Sequence, residues 1–147
     1  MRTSLRGSLR ILVLPATLAC LALAAGGLSA ANGDAAIPLS AGQEPDGGEP
    51  GGHGFFSYTI DGTEFCWTLS WRNIDDPFAG HVHVAPRGVA GPVVIPLDVD
   101  GVAGPDTSGC TTIDPAPAGA ITADPSAYYV NLHTEEFPAG VIRGQLK

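Results

Sequence analysis

The stretch Thr63–Trp71 admits one kind of secondary structure. Phe65, Trp67, Leu69 and Trp71 alternate with Cys66, Thr68 and Ser70. A period of two puts four large apolar side chains on one face of a strand and small polar ones on the other, whereas a helix would scatter them around its axis. The aromatic row is therefore core rather than a ligand platform. Phe55 to Ile60, also apolar and aromatic, precedes it, and Asp61-Gly62 between them is a two-residue hairpin signal.

The rest of the chain continues in short strands broken by turn residues. Ala36–Leu39, Gly80–Ala85, Val93–Val99, Cys110–Ile113, Tyr128–Glu136 and Val141–Leu146 read as strands, with Pro96 marking an edge or a bulge. Asp114-Pro115 has the order of a helix N-cap followed by proline, which predicts one or two helical turns up to about Ala123. Gly42 to Gly52, rich in Gly, Pro and Glu, reads as a mobile loop that buries no core. The expected fold is all-β, a single antiparallel Greek-key-like sandwich or barrel with at most one short helix.

The N-terminus has a different character. Arg2, Arg6 and Arg10 lead into an apolar run from Ile11 to about Ala25, followed by small residues ending Ser29-Ala30-Ala31. That is the order of a secretory signal peptide, cleaved after Ala30 or Ala31. The run is short for a membrane span and has no basic stop-transfer flank. Cys20 lies inside it, in a poor lipoprotein context, and is expected to leave with the signal. The reading is thus 1–31 signal peptide and 32–54 N-terminal strand and flexible loop, within a folded domain that runs to residue 147. No membrane span is expected in the mature chain, which is secreted or held in the cell envelope.

Beyond residue 31 the chain carries all 15 acidic residues against Arg72, Arg87, Arg143 and Lys147, a net charge of −11 with histidines neutral. That surface repels nucleic acid and anionic membranes. Two cysteines remain, Cys66 and Cys110. In an oxidising compartment an isolated pair is expected to form a disulfide. No C-x-x-C spacing offers a thiolate site, no G-x-S-x-G elbow is present, and the glycine-rich loop lacks the Lys-Ser/Thr ending of a phosphate loop.

The chemistry concentrates in His81-Val82-His83 and Tyr129-Val130-Asn131-Leu132-His133. His81 and His83 are side by side on one strand face, and His133 shares a face with Tyr129 and Asn131. Brought together, three imidazoles would suit copper or zinc and leave a coordination position open. Kept apart, they would brace loops by hydrogen bonds, with Arg143 paired to Glu135 across the Pro138 turn. Asp75, Asp76, Glu135 and Glu136 are candidates to hold the outer ring nitrogens. His53 reads as a loop histidine.

These blocks have a familiar order. His81-Val82-His83, Gly88 to Val94, Tyr128 to Thr134, Phe137-Pro138-Ala139-Gly140 and Arg143-Gly144-Gln145-Leu146 resemble the CHRD domain, the module named from chordin and widespread in secreted bacterial proteins. The resemblance covers about residues 37–147. It departs at Ala85, where the family often has glycine. It implies a fold more than an activity, and the partner it leaves open is a protein or a metal ion. A weaker resemblance is to copper–zinc superoxide dismutases, which have an H-x-H strand, a later Val-His strand and an arginine near the copper. His81, His83, His133 and Arg143 follow that order, but no bridging histidine lies between His83 and His133 and no zinc subsite is visible. The functional readings are a secreted binding module with a His-centred metal site, a copper-dependent oxidoreductase of superoxide-dismutase type, and a purely structural interaction domain.

Overall fold

The computed structural model describes residues 31–102 and 104–147. The expected signal segment, with Cys20, lies outside the described residues apart from Ala31. Eight strands form one antiparallel sheet: β1 (Ala31–Ser40), β2 (His53–Asp61), β3 (Glu64–Arg72), β4 (Ala79–Val84), β5 (Val93–Leu97), β6 (Asp106–Thr112), β7 (Tyr128–His133) and β8 (Ile142–Gln145). Their spatial order is β5-β4-β7-β8-β1-β2-β3-β6. The sheet curls into a nearly closed barrel, with β5 and β6 as its two free edges. Among the described residues there is one α-helix, α1 (Pro115–Ala123), with Asp114 at its N-cap and Pro115 at its first position. The all-β expectation with one short helix holds.

The sequence periodicity explains the interior. Phe65, Trp67, Leu69 and Trp71 of β3 are buried, and they join Phe56, Ile60, Leu39, Val82, Ile95, Val130, Leu132 and Ile142 in one core. Ile121 of α1 belongs to it as well. Fully burying each such side chain contributes about 1.5–3 kcal/mol, before the entropy of ordering it.

Most strand ends differ from the sequence reading by one to three residues, and three differences bear on the fold. β1 extends from Ala31 to Ser40 rather than covering Ala36–Leu39 alone. Asp61 pairs with Glu64, so the hairpin turn is Gly62-Thr63, one residue later than expected, with Gly62 supplying φ +60. β6 starts at Asp106 instead of Cys110. Its Thr-Ser-Gly start reads as loop because an edge strand with one wet face needs no apolar alternation. Pro96 does sit on an edge strand, and the β4–β5 register shifts between Val82 and His83. Cys66 and Cys110 face each other across β3 and β6 and form a disulfide. Their separation of 44 residues corresponds to about 4 kcal/mol in the chain-entropy account.

Among the described residues, no helix is long and apolar enough to cross a membrane.

Candidate metal centre

Strand register assembles the three histidines. Each residue of β4 faces a fixed partner on β7: His83 opposite Tyr129, His81 opposite Asn131, and Ala79 opposite His133. All six side chains therefore lie on the face turned away from the barrel core. His133 stands diagonal to His81, within reach of a long side chain. β8 adds Arg143 and Gln145, opposite Asn131 and Tyr129 on the same face.

This face is polar but not exposed. His83, His133, Asn131, Arg143 and Gln145 are buried and His81 is half-buried. Loops fold over them. Arg143 donates through Nη1 to the Val89 carbonyl at 2.8 Å and through Nη2 to the Pro86 carbonyl at 3.0 Å. Its guanidinium lies 3.3 Å from the centre of the Tyr129 ring, whose other neighbour is His83, stacked at 4.7 Å and 4°. Tyr129 Oη accepts from the Gly91 N–H. Gln145 donates to the carbonyls of Ala85 and Ser126, each at 2.8 Å.

The expected pairing of Arg143 with Glu135 does not occur. Glu135 is exposed beyond the end of β7, while Arg143 points inward and spends its donors on carbonyls. Its carboxylate neighbour is Glu44, from the loop after β1. Glu44 is buried, with its carboxylate over Gly140, where a Cβ would come within 2.5 Å of Oε1. Burial pushes its carboxyl up to about 7, against the opposing pull of Arg143 and a contact with Asn131.

The ring nitrogens define what the histidines can do. His83 Nδ1 lies 2.8 Å from the Gly91 carbonyl and His133 Nδ1 lies 3.0 Å from the Pro138 carbonyl. A carbonyl only accepts, so both Nδ1 atoms carry the proton and both Nε2 atoms present a lone pair. His83 Nε2 is buried with no hydrogen-bond partner. His133 Nε2 meets His81 Nδ1 at 3.0 Å. One nitrogen from each ring lies within 4.8 Å of the others. Two ligands of one ion with bonds of about 2.0–2.1 Å stand at most about 4.1 Å apart, so small ring rotations close the set. Burial and the neighbouring His133 and His83 rings push His81 down to about 4, and burial also lowers His83 and His133. The cluster is thus neutral at ordinary pH, the form in which imidazole ligates.

Asp75, Asp76, Glu135 and Glu136 do not hold the outer nitrogens. All four are exposed, and the backbone carbonyls of Gly91 and Pro138 take that role. His53 begins β2, exposed, with Nδ1 3.0 Å from the Gly51 carbonyl. A second group, Glu64 with Cys66 and Cys110, offers no thiolate because the sulfurs are bonded to each other.

Sequence reasoning missed Glu44 and the load carried by Asn131, Tyr129 and Gln145. A usable signal existed for the last three: polar alternation on β7 and again on β8 marks a shared face. Nothing in Gln43-Glu44-Pro45 marks a buried carboxyl.

A family model described as the CHRD domain matches residues 23–146. Comparison with curated proteins and with solved structures gives no match.

Proposed function

This chain belongs to the CHRD domain family, and we propose that it is an exported binding module that holds one copper or zinc ion on His81, His83 and His133. The observation that carries this reading is the buried, unpartnered Nε2 of His83. Leaving such an acceptor unmet costs about 1–3 kcal/mol. The carbonyls of Gly91 and Pro138 fix the His83 and His133 tautomers that present lone pairs to a shared point, as outer partners do in metal sites. Imidazole nitrogens favour copper and zinc over magnesium or calcium.

The disulfide and the N-terminal segment support export. Binding is favoured over superoxide-type turnover by Arg143. Arg143 is buried, and its guanidinium is committed to two loop carbonyls and the Tyr129 ring rather than left free to meet a substrate.

A bracing role for the histidines has its own support, since His83 and His133 tie down the loops holding Gly91 and Pro138. Metal loading separates the two. Purified protein equilibrated with copper or zinc and freed of excess should retain one ion per chain, and a His81→Ala/His83→Ala variant none. Equal weak retention in both would reduce the effect to the acidic surface and sink the metal reading. Because burial lowers all three imidazoles, protons should displace the metal only at lower pH than from ordinary histidines, which titrate near 6.5, and a pH series of metal retention checks this.

A further inference from the structure

The barrel does not close. β5 and β6 end the sheet on opposite sides of a groove of about 520 Å³, with Pro96, Leu97 and Asp98 on one wall, Ser108 to Thr111 on the other, and Trp67 contributing to the lining. Among the described residues the backbone of β6 is unpaired along this groove, and the ladder shows which groups are free. The Trp71 N–H bonds the Pro105 carbonyl and the Ile113 N–H bonds the Thr63 carbonyl. Odd-numbered residues of β6 thus bond β3, and the N–H and C=O groups of Ser108, Cys110 and Thr112 point into the seam.

The opposite wall is short of a donor to meet them. The Val84 N–H bonds the Pro92 carbonyl, so even-numbered residues of β4 face β5. Pro96 lies opposite His81, an odd-numbered position, and its nitrogen faces the seam without a hydrogen. Proline on an edge strand blocks zipping between edges. In this barrel it keeps β5 off β6 and leaves β6 free for another strand. β6 itself carries neither proline nor lysine to protect it.

Charge selects the occupant. Asp98 lines the groove, and the exposed Asp100 lies just past it in sequence, with the exposed Glu64 paired to Thr112 and Asp106 at the two ends of β6. Arg72 is drawn to Asp106 at 3.3 Å at one end. A second copy of this acidic chain would bring like charges together, whereas a basic extended segment would find both backbone partners and opposite charge.

We propose that the β5–β6 seam binds an extended, basic polypeptide segment of another protein as an added strand along β6. The contact is made by backbone groups of Ser108, Cys110 and Thr112, with Asp98 and Asp100 selecting lysine or arginine. This site is on the edges of the sheet and is independent of the histidine cluster.

The test uses the whole exported chain and a synthetic peptide of alternating valine and threonine with lysine at each end. Two controls accompany it, one with glutamate at the ends and one N-methylated at alternate residues. By calorimetry the lysine peptide should bind about tenfold or more tightly than either control. Ser108→Pro removes one seam-facing N–H and no ladder bond, and should weaken binding about tenfold with the melting midpoint near that of the parent. Should that variant fail to fold, the exposed pair Asp98→Asn/Asp100→Asn should still erase the preference for lysine over glutamate ends. Equal binding of the methylated and unmethylated peptides, no heat with any peptide, or a concentration-dependent dimer of the chain that excludes the peptide would each overturn the proposal.

Discussion

At the scale of single residues, the buried polar face sets the pH behaviour of the metal-free protein. The Glu44 carboxyl keeps its proton up to about 7 in the fold, against 4.5 for the ordinary group. The folded chain binds more protons between those values, so Glu44 makes the protein less stable as pH rises across that window. His81 acts in the opposite sense. Its folded value of about 4 lies below the ordinary 6.5, the unfolded chain binds more protons between them, and stability rises with pH there. Glu44→Gln removes the opposing contribution. Urea titrations of the metal-free variant should therefore show a steeper gain in stability from pH 4.5 to 6.5 than the parent; parallel curves would mean that Glu44 is solvated in the fold. Arg143 makes a second test. Arg143→Met keeps the volume but strands the carbonyls of Val89 and Pro86 and removes the cation from Tyr129. Together these losses should cost about 2–4 kcal/mol in urea unfolding, and a loss below about 0.5 kcal/mol would place that guanidinium in water. The histidines were legible in sequence because H-x-H on a strand fixes their face. The partner of Arg143 was not, because Glu135 is its neighbour along the hairpin while Glu44 reaches it from a loop 99 positions earlier.

At the scale of elements, alternation was legible wherever one face of a strand meets the core. β3 shows this best, since its four apolar positions are all buried. It held for β7 too, where Tyr128, Val130 and Leu132 enter the core and Tyr129, Asn131 and His133 take the polar face, and it failed for β6, where no position is fully buried. A strand with two alike faces carries no period-two signal. β8 packs so closely on β1 that one position accepts only glycine. A Cβ on Gly144 would stand 2.7 Å from the Pro38 carbonyl oxygen and 2.6 Å from Leu39 Cδ2. Backbone cannot yield there without parting β1 from β8. Gly144→Ala should lower the unfolding free energy by about 1–3 kcal/mol, and it should speed hydrogen exchange at β1 and β8 ahead of β2 and β3. Unchanged exchange in β1 would show that Leu39 alone moves aside.

At the scale of the whole molecule, the barrel separates two kinds of interior. Inside it lies an apolar core that accounts for folding. Outside β4, β7 and β8 lies a second, polar interior roofed by the loops carrying Glu44, Pro86 to Gly91 and Pro138. Hydrogen bonds rather than apolar area hold that roof, and anything that draws the three rings together would add to its stability. A metal ion would do so, and because it binds only the assembled site it would stabilise the entire chain by mass action. At free metal about 100 times its dissociation constant the gain is about 2.7 kcal/mol. Zinc added to the chelator-treated protein should therefore raise the thermal midpoint in a concentration-dependent way, and chelator should reverse it. His83→Ala should show no such rise, and it should melt only modestly below the metal-free parent, by about the 1–3 kcal/mol of the stranded Gly91 carbonyl, because the barrel core stays intact. If the parent is equally stable with and without zinc while His83→Ala is strongly destabilised, the imidazoles serve the roof itself. The polar interior would then be held by hydrogen bonds alone.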